Sequence, residues 1–134
     1  MKLFFSFLSI VTITQFLWLQ QNKPLKESII RGNEIYNDFC VQCHLENGEG
    51  VAGIFPPLSN SDYLLNNVTE SIYGIKYGME GPITVNGELY DGIMVNQGLD
   101  DEEIADVMNY ILNSWGNSYD DQLITRSIVN DIEK

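Results

Sequence analysis

Cysteine and histidine are nearly absent from this 134-residue chain. It contains two cysteines and one histidine, all within one run of five residues, at Cys40, Cys43 and His44. Because there is no other cysteine, the chain has no disulfide framework. A zinc site needs about four ligands, and the sequence offers no third cysteine. Cross-links and structural zinc are therefore disfavoured as sources of stability.

Positive charge is also scarce. Seven Lys and Arg residues stand against nineteen Asp and Glu residues, which gives a formal net charge of −12. A chain with this balance repels polyanions. Nucleic acids and anionic membrane surfaces are therefore poor partners.

The N-terminal segment, residues 1–22, has no acidic residue, and the stretch Leu3–Leu19 has no charge at all. A run of Leu, Phe and Ile of this length is typical of a secretory signal or a membrane anchor. No Ala or Gly occurs between Met1 and Ile30, so a small-residue cleavage site does not stand out. The composition favours an uncleaved N-terminal hydrophobic helix that anchors the protein in a membrane, with cleavage and export as the alternative.

The run Cys40-Val41-Gln42-Cys43-His44 has the spacing of a covalent c-type haem attachment site. On a helical turn, residues three apart share one face, so both sulfurs reach the two vinyl groups along one edge of a porphyrin. His44 then supplies an axial ligand to the iron. A redox-active dithiol is the alternative, but it usually follows a strand, and the segment before Cys40 has a helical pattern. The motif predicts one haem c, attached through Cys40 and Cys43.

The spacing of apolar residues predicts an all-α fold. Four helices are expected before the tail, at about 24–43, 62–67, 70–77 and 100–115. The last of these begins with Asp100 and Glu103 placed as a capping box and is followed by Gly116. One small β-hairpin is expected at 83–90, where Asn86-Gly87 suits a two-residue turn. The tail, residues 119–134, has a weak pattern for one short helix after Thr125.

The loop from Leu45 to Leu58 carries three glycines and ends in Phe55-Pro56-Pro57-Leu58. Such a loop is irregular and has to pack closely against another part of the chain. A carbonyl adjoining the prolines is a suitable acceptor for the second imidazole nitrogen of His44, and that bond would orient the ring on the metal. An ordinary surface loop is the alternative.

The sixth iron ligand has to come from outside the motif. Because His44 is the only histidine, a centre with two histidines from one chain is excluded. Methionine is the natural candidate. Met1 lies in the N-terminal segment and Met108 on the apolar face of the last predicted helix, which leaves Met79 and Met94.

The chain from about Glu27 to Asn117 resembles the class I c-type cytochromes, and in particular the small bacterial monohaem domains that accompany periplasmic dehydrogenases, reductases or oxidases. The resemblance rests on the order of four segments: CVQCH, GEGVAGIFPPL, GPITVNGELYDGIM and DDEEIADVMNYILNSWGN. It implies a cytochrome c fold wrapped around one covalent haem. In this arrangement Met94, in a loop after the hairpin, is the sixth ligand, and the carbonyl near Pro56 holds His44.

The resemblance also implies a close crossing of the first and last helices, at Gly32, Tyr36, Val107 and Tyr110. Two positions depart from the family pattern. Leu45 stands where a glycine commonly follows the histidine, and Val95 stands where a proline commonly follows the ligand methionine.

We therefore expect three parts: an N-terminal segment (1–22), a cytochrome c domain (23–118) and a tail (119–134). The domain is expected to be an electron carrier rather than an enzyme, passing single electrons between respiratory partners on the periplasmic side of the cytoplasmic membrane. It would act as a free carrier or as a subunit of a dehydrogenase, reductase or oxidase. Without Met94 as a ligand, the iron would be five-coordinate and would suit a gas sensor or a peroxidase-like enzyme.

The acidic composition predicts a redox partner with a basic docking face. The exposed haem edge is expected near four residues, Val41, Gln42, Ile93 and Val95.

Overall fold

The computed structural model describes residues 24–119 and 122–134. The predicted N-terminal hydrophobic helix, within residues 1–22, lies outside them. The elements in chain order are α1 (24–39), α2 (Val41–His44), α3 (Asp62–Asn66), α4 (Val68–Tyr77), β1 (Met79–Val85), β2 (Glu88–Met94), α5 (Asp101–Leu112) and α6 (Arg126–Asn130). No helix in the described part of the chain is long and apolar enough to cross a membrane.

Helices α1 and α5 cross at Gly32. A Cβ atom built there would overlap the carbonyl oxygen of Asp106 and lie 2.8 Å from the Cβ of Tyr110. One turn further on, Tyr36 is fully buried, and its ring centroid lies 5.5 Å from that of Tyr110. The close crossing that the family resemblance implies is confirmed, with Asp106 and Tyr110 as the nearest residues.

A buried polar cluster fixes the rotation of the two helices. The Asp106 carboxylate accepts bonds from Ser28 Oγ (2.6 Å) and from Arg31 Nε and Nη2 (2.6 and 2.8 Å). The Asn109 amide donates to Ser28 Oγ (2.9 Å) and to Ile124 O (2.8 Å), and its oxygen accepts from Ile124 N (3.0 Å). Because every partner is bonded, burying these groups is tolerated, and the cluster joins α1, α5 and the segment before α6.

The predicted short helices are present with boundaries shifted by one or two residues, and the long ones need larger corrections. Helices α3 and α4 confirm the two short predictions, although α4 starts at Val68. The first long helix is divided at Cys40, which caps α2. Helix α5 ends at Leu112, short of Trp115, whose φ is +52°. The hydroxyl of Ser114 bonds back to Tyr110 O (2.6 Å) as the chain turns away.

The hairpin is longer than predicted. Its Asn86-Gly87 turn is confirmed, with φ of +52° and +82°, but the strands pair from Val85↔Glu88 out to Met79↔Met94. Met94 is therefore the last residue of β2 and does not lie in a loop after the hairpin. The sequence pattern hid this extension because Gly81 and Gly92, paired across the strands, break the alternation of side chains.

The segment 122–134 packs onto the domain. The short helix predicted after Thr125 is confirmed as α6, with Thr125 as its N-cap. Ile124 and Val129 are buried in the same cluster as the apolar face of α5. The ammonium group of Lys76 donates to Val129 O (2.8 Å) and Ile132 O (3.2 Å), which joins the end of α4 to this segment.

We expect Gly32→Ala to lower the free energy of unfolding by about 1–3 kcal/mol, since the added methyl group meets backbone that cannot move aside. Urea unfolding of the haem-loaded protein measures this change. Glu34→Ala, on the exposed face of the same helix, is the control and should change stability by less than about 0.5 kcal/mol. A Gly32→Ala variant that is as stable as the wild-type protein would contradict the close approach of α1 and α5 at this residue.

Asp100 gives α5 a pH-dependent cap. Its carboxylate accepts from Glu103 N (3.0 Å) and Glu102 N (2.8 Å), and these bonds lower its pKa below the usual 3.8. Because the pKa of Asp100 is lower in the folded protein than in the unfolded chain, the cap stabilises the fold above pH 3.8. This stabilisation is lost as the pH falls through the pKa that Asp100 has in the folded protein. Asp100→Ala should therefore cost about 1 kcal/mol at neutral pH and less in acid. Asp100→Asn, which still caps, should keep the stability at both pH values, as measured by thermal unfolding.

Candidate functional site

The two thiols lie at the junction of α1 and α2. His44 N donates to Cys40 O (3.0 Å), so Cys40 and Cys43 belong to one helical turn, as the spacing predicts. Burial of Cys40, with a smaller contribution from Cys43, raises the pKa of the Cys40 thiol to about 11. Redox-active dithiols depend on a lowered thiol pKa. The burial of Cys40 thus does not supply the lowered thiol pKa that the dithiol alternative would use.

The imidazole of His44 is oriented by the proline loop. Its Nδ1 lies 3.0 Å from the carbonyl oxygen of Pro56. A carbonyl can only accept, so Nδ1 carries the proton and Nε2 keeps its lone pair. Burial lowers the pKa of His44, and the bond to Pro56 partly opposes that shift. A neutral ring with a free Nε2 is the form that binds a metal.

Glycines allow the loop to reach His44. Gly50 N donates to His44 O (3.0 Å), and a Cβ at Gly50 would overlap the carbonyl of Phe55 and lie 2.7 Å from Pro56 O. Gly48 lies against the ring of Trp115, where a Cβ would approach to 2.6 Å. The two buried glycines thus let the loop fold on itself beside His44 and pack against Trp115, although most of its residues up to Ile54 are exposed.

Leu45, which follows His44, has a backbone conformation that is unusual for a residue with a side chain. Its φ is +62°, in the left-handed region that favours glycine, which accounts for the glycine usual here in the resembling family. The buried hydroxyl of Tyr36 donates to Leu45 O (2.6 Å). Behind it, the rings of Tyr36, Tyr110 and Trp115 form a cluster with centroids 4.9–5.5 Å apart. The family resemblance implies that Tyr36 and Tyr110 lie together, but the packing of Trp115 against both rings was not predicted.

The predicted site residues meet around one apolar space. A cavity of about 330 Å³ is lined by Cys40, Cys43, His44, Pro56 and Met94. Its apolar walls include Leu58, Leu64, Ile75, Ile83, Val85, Val107 and Ile111. An adjoining cavity of about 340 Å³ is also lined by Cys43, His44, Pro56 and Met94. Residues far apart in the sequence therefore surround a slot with two thiols, an imidazole and a thioether.

The methionines occupy different environments. Met94 lines both cavities, whereas Met79, its partner across the strands, lines neither. Met108 is fully buried in the helical core, which confirms the packing role expected for it.

Exposed apolar side chains surround the opening of the slot. Ile54, Ile93 and Val95 are 62%, 74% and 65% exposed, and all three line the second cavity; we call them the apolar rim. Gln42 is exposed and lines the first cavity. Val41 packs against the helical core and lines neither cavity, contrary to expectation. Ile54 was not predicted, because its place in a glycine-rich loop gave no hint of a neighbouring strand.

The segments that form the slot carry almost no positive charge. Between Arg31 and Arg126 the only Lys or Arg in the sequence is Lys76. Its ammonium group lies 3.2 Å from the Asp101 carboxylate and bonds to two carbonyls of the C-terminal segment. Exposed acids on these segments include Glu46, Glu49, Glu80, Glu88 and Asp91.

Sequence comparisons with known proteins point to the same kind of haem site as the arrangement of the slot residues. A family model described as cytochrome c matches residues 29–115. Cytochrome c-552 of Thermus thermophilus is 39% identical over 92 residues, which cover 65% of this chain and 70% of that protein. The cytochrome c subunit of a quinone alcohol dehydrogenase from Komagataeibacter europaeus is 32% identical over 92 residues, 66% of this chain but only 19% of the subunit. A cbb3-type cytochrome c oxidase subunit from Rhodobacter capsulatus is 30% identical over 98 residues, 70% of this chain and 33% of that subunit.

Proposed function

The chain belongs to the cytochrome c family, and we propose that it passes single electrons between respiratory redox partners on the periplasmic side of the cytoplasmic membrane. Proteins of this family carry covalently bound haem c with its iron. The observation that carries the proposal is the slot itself, in which an imidazole and a thioether line the same two cavities. With His44 and Met94 both bound to it, the iron would have no free site for a substrate.

The residues of the slot have distinct roles in this proposal. Cys40 and Cys43 would hold the haem as thioethers, and Nε2 of His44 and Sδ of Met94 would bind its iron. When bound, the haem supplies an iron that alternates between the ferric and ferrous states. The Pro56 carbonyl keeps the His44 ring in one orientation and one tautomer, while the apolar walls exclude water and favour a raised potential.

Met94 is preferred to Met79 as the sixth ligand for two reasons. Met94 lines both cavities together with His44, and Met79 lines neither. The sulfur of Met79 is instead packed against α4, where a Cβ built at Gly74 would lie 3.0 Å from it. The five-coordinate alternative, a gas sensor or peroxidase-like enzyme, requires Met94 to leave the iron free.

The surroundings of the slot suit a transient partner with a basic face. The apolar rim gives a small contact area that is easily desolvated, and the nearby segments contribute acids but no base other than the engaged Lys76. Such complementarity speeds encounter more than it strengthens binding. Two of the relatives are named as subunits of a dehydrogenase and an oxidase. Both a free carrier and a subunit role are therefore included in the proposal.

The uncharged stretch Leu3–Leu19 supports the proposed location. A segment of this composition directs a chain to the membrane, either as an anchor or for export. In the proposal it presents the domain to partners on the periplasmic side.

The ligand assignment is tested with a pair of methionine variants. Met94→Ala should lose the weak red band that sulfur-to-iron charge transfer produces in the oxidised spectrum, and its reduction potential should fall. Met79→Leu keeps a side chain of similar size and should retain the band. Visible spectra of both holoproteins, with redox titration, measure this. A wild-type protein that lacks the band and binds carbon monoxide rapidly would favour the five-coordinate alternative instead.

The docking proposal predicts a salt effect of defined sign. The bimolecular rate with a cationic redox complex should fall as ionic strength rises, because salt screens the attraction, and the rate with an anionic complex should rise. Asp91→Asn removes a charge beside the apolar rim and should make the rate with the cationic complex depend less steeply on ionic strength. Glu133→Gln removes the same charge from the C-terminal segment and should reduce that dependence less. The rates are measured by stopped flow. The proposal would be contradicted if the rate with the cationic complex depended equally on ionic strength in the two variants.

A further inference from the structure

We propose that Gly74 is a positioning residue for the Met94 thioether, acting through the side chain of Met79; this inference rests on the proposed function, in which Met94 binds the iron. Gly74 lies inside α4, away from the slot, and is buried. It does not line either cavity.

The backbone of α4 does not require a glycine at this position. Gly74 has no left-handed φ, and a glycine inside a helix costs about 1 kcal/mol relative to alanine. The reason for the glycine is therefore space. A Cβ built there would lie 3.0 Å from Sδ and 3.6 Å from Cγ of Met79, and 3.6 Å from Cε of Met94. Both methionine side chains thus rest on the bare surface of the helix.

The backbone around Met94 is held in place by the end of the same helix. A Cβ at Gly78 would lie 3.0 Å from Met94 O and 3.2 Å from Asn96 N. The Asn96 amide also donates to Lys76 O (2.6 Å). Because this backbone is packed against the end of α4 and bonded to it through Asn96, we expect an added group at position 74 to be accommodated mainly by the methionine side chains.

The order of contacts gives the mechanism. The Met79 sulfur is the atom nearest to the missing Cβ, and Met79 is the direct partner of Met94 across the strands. A methyl group at position 74 would displace Met79 toward Met94 and strain the conformation in which the Met94 thioether points into the slot. The strain affects the methionine-bound state and is relieved when Met94 leaves the iron.

The test measures competition for the sixth position in the oxidised holoprotein. Exogenous imidazole binds only when Met94 has been displaced, so Gly74→Ala should bind it more tightly, by about tenfold for a typical overpacking strain. The charge-transfer band should weaken and the reduction potential should fall. Thr69→Ala, at an exposed position of α4, also raises helix propensity and should keep the wild-type affinity for imidazole.

A double variant separates this mechanism from a general loss of structure. Met79→Ala in the Gly74→Ala background removes the side chain that transmits the strain, and should return imidazole affinity toward the wild-type value. The inference would be overturned if Gly74→Ala kept the wild-type imidazole affinity and reduction potential. It would also be overturned if the double variant bound imidazole as tightly as Gly74→Ala does. If Gly74→Ala does not accumulate as holoprotein, accumulation of the double variant supports the inference and its failure overturns it. Absence of the band from the wild-type protein would instead overturn the ligation by Met94, and with it this inference.

Discussion

The contact of two helix backbones at Gly32 determines where the rest of the site can lie. With no side chain at this position, α1 and α5 approach until the carbonyl of Asp106 occupies the space of a Cβ. The Asp106 carboxylate then accepts bonds from both Ser28 and Arg31, which fixes the rotation of each helix. The end of α1 is thereby held beside Val107 and Ile111 of α5, and the thiols of the following turn face an apolar wall.

The opposite wall is built by shorter elements and depends on contacts of its own. Helix α4 supports the end of the hairpin on one side through Gly74 and Gly78, and binds the C-terminal segment on the other through Lys76. Met94 thus belongs to a part of the fold that does not share the α1–α5 contact. A change in α4 or at the end of the hairpin can therefore shift the Met94 thioether while the thiols and the imidazole keep their positions.

The sequence was sufficient for features that depend on local spacing. The turn of Cys40 and His44, the Asn86-Gly87 hairpin and the capping box at Asp100 each follow from a few neighbouring residues, and each is present. Features that depend on distant contacts were missed. The extension of β2 to Met94 was hidden by paired glycines, and α5 ends at Leu112, three residues before Trp115 turns to pack against Gly48. Ile54 joins the apolar rim only because the loop folds back toward the hairpin.

Lys76 has a consequence beyond the packing of the C-terminal segment. Its charge is held by Asp101 and by carbonyl groups of the last residues, so it serves as an internal support. The exposed acids near the slot, such as Glu80 and Asp91, take no part in these contacts. In the docking that we propose, partner recognition therefore depends on charges other than that of Lys76, which supports the fold. In that case the surface acids can change to suit a new partner while the fold and the slot stay as they are.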